Sequence, residues 1–524
     1  MKKFFISTLS LFVALTTCVE VQAADTLHVR EYYTPLMINR DANLYFDLSV
    51  KPTSAGQIFE ELTLQIDKGE HIESLSLYYT GTRNLASGNN YYNSFTSESY
   101  AVKKFETSKV KKTIKMDVDT RLFNSNNYFV VGVTLKESTP LDAMVDIKLV
   151  SARSSQGDLV IDYSGSAQQR HVGVSVRNVG DDGVSAYRIP GMVTTQKGTL
   201  IATYDIRNNS SVDLQEDIQI GVNRSTDGGK SWEPMQVAID MRGYGDLPDS
   251  ENGVGDPAIL VDQTTGDILI IGLWSHGIGG MRNFWNSKRD VMLPEEEAAQ
   301  VVVVRSSDDG RTWSEPLNIT PQVRNARWGV NLQGPGRGIT MKDGTLVFAF
   351  QYLDSDNLPY ATIIYSKDHG QTWQVGAPAK DNTTEAQVVE LADGRLMLNI
   401  RDNRRGSRSV YTTNDMGATW EVHPTSRGAL IEPTCQASLL DTGDGKTLVF
   451  SNPAHESDRV NMTIKGSTDG GETWNEGILI DAQGGWGYSC LTMIDKETVG
   501  ILYEGSQACM QFQAIPLKEI LNAK

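Results

Sequence analysis

Short runs of alternating apolar and polar residues open the chain. Leu62-Thr63-Leu64-Gln65-Ile66, Ser74-Leu75-Ser76-Leu77, residues 130–135 and Val145-Asp146-Ile147-Lys148-Leu149 each carry a period of two. That period sends successive side chains to opposite faces and predicts half-buried β-strands. Turn-rich stretches at 81–94 and 124–127 separate the runs. Together they predict a small antiparallel β-sandwich over residues 25–160. Residues 151–169 are polar and rich in Ser, Gly and Gln, and they read as a linker. Short strand patterns resume beyond it, at 301–304, 345–350, 362–365, 388–391 and 447–450.

A phrase of eight residues punctuates this second part five times. It reads Ser-x-Asp-x-Gly-x-Thr/Ser-Trp and starts at Ser225, Ser306, Ser366, Thr413 (with Thr in the first place) and Ser467. A recurring phrase at intervals of roughly 50 to 80 residues marks a repetitive β architecture, most often a propeller. Six blades over residues 170–524 give roughly 60 residues each. The fold class expected is therefore all-β, a six-bladed β-propeller preceded by a small β-sandwich. The phrase makes sense as a turn: Asp and Ser bond local amides, Gly takes a positive φ, and Trp resumes a buried strand. Asp227, Asp308, Asp368, Asp415 and Asp469 therefore read as structural. Equivalent positions spread round a ring cannot converge on one site.

Composition narrows the partners. Residues 1–23 read as a secretory leader, with Lys2 and Lys3, an apolar run and Val21-Gln22-Ala23 at its end. Export to a bacterial periplasm or cell exterior follows. Cys18 fits a lipoprotein signal poorly, because Thr17 is large for the place before the cysteine. No other apolar run reaches the length of a membrane span. The formal net charge is −17, and it is −18 without Lys2, Lys3 and Glu20 of the leader. So acidic a chain disfavours nucleic acid and anionic lipid as partners. Cys435, Cys490 and Cys509 remain after the leader, an odd number, so a disulfide scaffold is excluded and core positions are expected. Neither a zinc-spaced Cys/His cluster nor any other metal or cofactor signature occurs; only a structural Ca²⁺ near an acidic loop stays open.

The repeated phrase resembles the Asp-box of sialidases (neuraminidases), and other motifs sharpen the resemblance. Tyr187-Arg188-Ile189-Pro190 looks like that family's Phe/Tyr-Arg-Ile-Pro phrase. The resemblance makes Arg188 the first of three arginines that grip the substrate carboxylate, with Arg401 (Leu398-Asn399-Ile400-Arg401) and Arg459 (Asp458-Arg459-Val460) as the others. Guanidinium binds carboxylate as a fork and stays charged at any working pH. Three of them repel one another, by about 4 kcal/mol for a pair 4 Å apart at an effective dielectric near 20. An acid should buttress one, and Glu504 matches the family residue that pairs with the first arginine. Tyr488 (Gly487-Tyr488-Ser489-Cys490) matches the nucleophile and Glu385 its base partner. Tyrosine is an exception among glycosidases. A neutral phenol avoids the repulsion an aspartate would meet from the carboxylate on the anomeric carbon. Asp213 matches the acid/base, with Asp217 a nearby competitor. Arg207 is expected to face the substrate's O4 side, and Asp256 matches a further pocket aspartate. Trp274 and the loop over 275–289 are candidates for the N-acetyl or aglycone side.

What the resemblance implies is a retaining exo-α-sialidase acting on terminal sialic acids of glycoproteins, glycolipids and oligosaccharides. Asp213 protonates the leaving oxygen, and Tyr488, relieved of its proton by Glu385, forms a covalent sialyl-enzyme. A trans-sialidase with the same residues, or a non-catalytic propeller receptor or lectin, are the competing readings. The N-terminal part resembles, more loosely, the β-sandwich that precedes some bacterial sialidase propellers, either as a carbohydrate-binding module or as a spacer.

Overall fold

The structure is a computed structural model that describes residues 25–84, 103–108, 110–164, 169–275, 299–325 and 327–524. The expected leader with Cys18, most of the turn-rich stretch at 81–94 and the loop over 276–289 lie outside them.

Two sheets come first. One runs, in spatial order, Val160–Ser164, Thr26–Glu31, Asn43–Val50, Asn127–Leu135, Ile72–Gly81 and Lys103–Thr107. The other contains Met144–Ser154, Ile58–Asp67 and Thr113–Arg121. Thr113–Arg121 alternates exposed and buried at every residue, as a half-buried strand must. Leu48, Leu77 and Phe129 from the first sheet and Leu62, Val118 and Ile147 from the second share one core, all fully buried. Each such side chain contributes about 1.5–3 kcal/mol of burial.

Residues 151–169 are not simply a linker. Met144–Ser154 runs into them, a hairpin returns at Gly157–Asp158, and Val160–Ser164 pairs in parallel with Thr26–Glu31. Val160–Ser164 is an edge strand whose side chains are all exposed or half-exposed. Ile161 and Tyr163 on one face pack against the core while Asp162 and Ser164 stay exposed, and polar flanks mask that short alternation in the sequence.

Arg170–Arg177 connects the two parts of the molecule. Its start pairs with Met144–Ser154 and its end with Met510–Pro516. It thereby completes an antiparallel sheet with the chain's last three strands, Ser489–Met493, Thr498–Tyr503 and Met510–Pro516. Between these ends lie further sheets built mainly from consecutive antiparallel strands, with Gly336–Arg337 adding a short parallel pairing to Val254–Val261. Their innermost strands are Ala186–Thr194, Val254–Val261, Asn331–Gln333, Thr383–Glu390 and Ser438–Asp441. Neighbouring sheets touch in sequence order, and Ser489–Met493 touches Ala186–Thr194, so the series closes on itself.

The five repeated phrases form the same turn. In the third, Ser366 Oγ donates to Asp368 Oδ1 at 2.7 Å and accepts from Gly370 N at 2.8 Å. Thr372 donates its amide to Asp368 Oδ1 at 2.8 Å and its hydroxyl to Oδ2 at 2.6 Å. The other four phrases repeat this pattern through Asp227, Asp308, Asp415 and Asp469. Partial desolvation opposes ionisation of Asp368, but the Thr372 and Ser366 donors outweigh it and bring its pKa to about 2. A carboxyl lowered in this way stabilises the fold above its unfolded value near 3.8, and the contribution is lost as pH falls toward 2. Asp368→Asn is therefore expected to cost about 1 kcal/mol at pH 7 in urea denaturation, and the gap to wild type should close between pH 4 and 2. A gap constant across that window would contradict the turn's electrostatic account.

Candidate active site

The side chains singled out in the sequence come from the starts of innermost strands (Arg188, Asp256, Glu385), from the ends of second strands (Arg207, Arg401) and from the loops beside them. Arg188 lies near the start of Ala186–Thr194, where the ladder to Leu200–Arg207 slips between Arg188 and Gly191. Pro190 has no N–H to keep the ladder going. Ile189 takes φ +62°, a conformation that costs a β-branched residue about 1–3 kcal/mol. Asp256 repeats the device in the next sheet: it precedes Pro257, has φ +57°, and its ladder slips between Gly255 and Ala258. These bulges turn side chains off the sheet face and toward the ring's mouth.

A cavity of about 570 Å³ opens there, lined by Arg188, Asp213, Asp256, Glu385, Arg401, Arg459, Trp486 and Tyr488 among others. Tyr488 lies at its floor. Its hydroxyl donates to Glu385 Oε1 at 2.6 Å and accepts from Arg401 Nη1 at 2.9 Å. The same Arg401 nitrogen donates to Glu385 Oε2 at 2.6 Å. The guanidinium carbons of Arg459 and Arg188 lie 5.5 and 5.8 Å from the Tyr488 ring centre. Burial and the Glu385 charge push the Tyr488 phenol well above its ordinary value, while Arg401 and Arg459 pull it back. The phenol is neutral at rest, already bonded to a carboxylate that can take its proton.

Glu504 sits behind the cavity, not in its lining. Its Oε1 accepts from Arg188 Nε at 2.6 Å and from the amide of Ile189 at 2.8 Å. Its Oε2 accepts from the amide of Tyr488 at 3.1 Å. Both side chains of this ion pair are almost fully buried, at 5% and 1% exposure. Arg188 also lies 4.2 Å beneath the ring of Trp486, which is half exposed.

Arg207 differs from expectation. It is 1% exposed and not part of the cavity lining. Its donors are spent on Asp205 at 2.8 and 3.1 Å, on Asp213 at 2.7 Å and on the Ser211 carbonyl. It braces Asp205 and Asp213 from behind the wall. Asp213, by contrast, lines the cavity with its side chain 68% exposed. Asp217 is not in the lining; its carbonyl accepts the Asn208 amide. Asp256 carries a strongly raised pKa, from burial and from the charges of Asp205, Asp213 and Glu385. Trp274 is 2% exposed, packs edge-on against Tyr244 and belongs to an apolar core, so it does not face the cavity.

Three neighbours went unread in the sequence. Asp205 stands two residues before Arg207 on one strand, hence on the same face, and its Oδ1 accepts the Asp256 amide at 2.8 Å. Trp486 stands two before Tyr488. Cys435 is buried against Ile189 and Tyr488. Cys490 is also buried and Cys509 half-buried; all three thiols are free. A second cavity of about 440 Å³ lies at the opposite end of the same inner strands, around Thr194, Val261, Arg337 and Glu390. It contains none of the residues gathered around Tyr488.

A closed series of β-sheets with three arginines, a carboxylate and a buried tyrosine around one cavity defines a glycoside hydrolase of the sialidase class. Comparisons with known proteins agree. Residues 198–501 match the BNR repeat-like domain, and residues 24–157 match the N-terminal domain of BNR-repeat neuraminidase. A sialidase from Bacteroides fragilis is 45% identical over 98% of both chains. One from Micromonospora viridifaciens is 32% identical over 62% of this chain and 50% of its own. The solved structure of Hadza microbial sialidase Hz136 superposes with a TM-score of 0.89 at 44% identity, covering 94% of this chain and all of that one. Trypanosoma rangeli sialidase, at 23% identity and a TM-score of 0.53 over 67% of this chain and 56% of its own, shares the fold. The chain belongs to the bacterial exo-α-sialidase (neuraminidase) family with BNR repeats, and it is a sialic-acid-hydrolysing enzyme with a β-propeller.

Removing the acid that holds Arg188 leaves a buried guanidinium without its counter-charge. Glu504→Ala should cost about 3–5 kcal/mol in equilibrium unfolding. Glu504→Gln, which keeps an acceptor for the Ile189 or Tyr488 amide, should cost less. Equal and small losses in both would show that the pair does not hold this part of the ring.

Proposed function

We propose that the enzyme is a retaining exo-α-sialidase working through a covalent tyrosyl intermediate, in a six-bladed propeller over residues 170–524. A β-sandwich over residues 25–160 precedes the propeller, and a cleaved leader exports the protein. The observation that carries the mechanism is the Tyr488 hydroxyl bonded to Glu385 at 2.6 Å, beneath the guanidinium groups of Arg188, Arg401 and Arg459.

Arg188, Arg401 and Arg459 receive the carboxylate of a terminal sialic acid and fix its ring over Tyr488. Asp213, exposed at the rim, gives its proton to the glycosidic oxygen as the C2–O bond breaks. The Tyr488 oxygen bonds to C2 and its proton passes to Glu385, so that no anion has to approach the substrate carboxylate. Water, deprotonated by Asp213, then attacks C2, and Tyr488 leaves as phenol with the proton that Glu385 returns. Two displacements retain the anomeric configuration. Asp256, which lines the cavity, offers its carboxyl to a sugar hydroxyl. The substrates are sialylated glycoproteins, glycolipids and oligosaccharides.

Tyr488→Phe, which keeps the ring and loses the attacking oxygen, should reduce turnover of a fluorogenic sialoside by at least about 10²-fold in a folded protein. Full activity would remove Tyr488 from the mechanism. NMR of the first-formed product should show the α-anomer, and sialyl-lactose as the main product with lactose present would replace hydrolysis by transfer.

Asp213→Ala separates the acid from the nucleophile. It should lose about 10²–10⁴-fold on sialyl-lactose, whose leaving group needs a proton. On a sialoside with an acidic phenol as leaving group the loss should be far smaller. Equal losses on both substrates would exclude Asp213 as the acid.

A further inference from the structure

The N-terminal sheets touch the ring where the site is built. We propose that Arg40 is a positioning residue for the active site, and that the N-terminal sheets assist turnover by docking it there; the inference rests on the reading of Tyr488 as nucleophile.

Arg40 is held on a rigid tether. Two residues earlier, the Ile38 amide donates to the Gly173 carbonyl at 2.8 Å. Asn39 gives its side-chain amide to the Ser175 carbonyl and accepts the Ser175 amide, both at 2.9 Å, as a strand rung would. The segment is thus stitched to Arg170–Arg177, the strand that closes the ring. From there Arg40 forks onto one residue: Nη1 donates to Gln507 Oε1 at 2.7 Å and Nη2 to the Gln507 carbonyl. The Tyr33 carbonyl adds a second contact, accepting the Ala482 amide at 2.7 Å.

Gln507 and Ala482 belong to the two segments that carry Glu504 and Tyr488, and a buried network ties these segments together. The Gln507 amide donates to Gln511 Oε1 at 2.9 Å, and Gln511 Nε2 donates to Asp481 Oδ2 at 3.1 Å. Ser506 gives its amide and its hydroxyl to the two Asp481 oxygens, both at 2.9 Å. The Gln483 amide is a further donor to Asp481, at 3.1 Å. Asp481 is 1% exposed, and the donors around it come from both segments, so loosening one segment leaves a buried carboxyl short of partners. The segments also abut directly: a Cβ at Gly485 would fall 2.4 Å from the Glu504 carbonyl oxygen. Glu504 in turn fixes Arg188 and the Tyr488 amide. A shift of the 505–508 turn would therefore move the nucleophile relative to Glu385. A misplacement of about 1 Å can cost 10²-fold in rate.

The test is steady-state kinetics of the full chain on a fluorogenic sialoside. Arg40→Ala should lower kcat about tenfold while KM stays within about twofold, and Arg40→Lys should recover part of it. Gln507→Ala, made from the ring side, should give the same kcat loss, and the double variant should be no worse than Arg40→Ala. Leu62→Ala, a cavity in the N-terminal core away from the contact, lowers stability and should leave kcat within about twofold. A folded Arg40→Ala or Gln507→Ala with wild-type kcat overturns the proposal, and so does a Leu62→Ala whose kcat falls as far. Should Arg40→Ala not fold, Gln507→Ala decides alone. Inactive Tyr488→Phe beside unaffected Arg40→Ala sinks only this inference; active Tyr488→Phe beside slowed Arg40→Ala sinks only the nucleophile.

Discussion

One carboxylate holds the ring shut at the place where its chemistry is assembled. Glu504 follows the strand Thr498–Tyr503 in the last sheet, while Arg188 and Ile189 stand at the start of the first. The two are 316 residues apart in sequence, and their contact is a buried ion pair with a shared backbone amide. Burying such a pair is costly, and stability alone would be served as well by packed apolar residues. What the pair contributes is placement. It holds Ile189 in its strained conformation and aims Arg188 into the cavity. Through its second oxygen it also fixes the backbone of Tyr488.

The cavity gathers cations in an otherwise acidic chain and sets three carboxylates against them. A protein with a formal net charge of −17 gathers Arg188, Arg401 and Arg459 on one wall. The cost of crowding them is offset differently for each. Arg188 has Glu504 and the face of Trp486. Arg401 has Glu385. Arg459 donates to the carbonyl of Trp486 at 2.8 Å. The opposite wall is acidic, yet Arg207 behind it serves both Asp205 and Asp213, which keeps that wall from repelling an anionic sugar as a cluster of bare carboxylates would.

Sequence reading reached the residues of this site because their flanking phrases are local. Tyr187-Arg188-Ile189-Pro190 is a strand start broken by a proline, and the bulge explains why that phrase is so distinctive. Arg188, Arg401, Arg459, Tyr488, Glu385, Asp213 and Asp256 do line one cavity. The five Asp-box turns were equally legible, because all their bonds lie within seven residues. Failures came where the answer depends on distant partners. Whether Arg207 faces substrate or supports the wall depends on which residues fill the space in front of it. Trp274 looked like a pocket residue because its surroundings in sequence are loop, but it lies in a core. Residues 151–169 read as linker because the short alternation through Ile161 and Tyr163 is flanked by polar residues.

Aspartate shows most directly how much the fold adds to the sequence. In the Asp-box turns, where surrounding hydroxyls and amides donate to it, the side chain is held low, near 2 at Asp308 and Asp368, against the partial desolvation that opposes it. Asp205 is buried against Arg207 and rises to about 6, since burial outweighs that partner. Burial and the charges of Asp205, Asp213 and Glu385 push the Asp256 carboxyl well above its ordinary value. One residue type thus serves as a turn lock, a wall brace and a pocket carboxyl whose ionisation its surroundings oppose. The same logic governs Tyr488. Burial and Glu385 keep its proton on, while Arg401 and Arg459 act the other way. The state of the phenol is therefore set by the groups around it more than by the tyrosine itself, and it depends on the positions that Glu504 and the segments beside it impose.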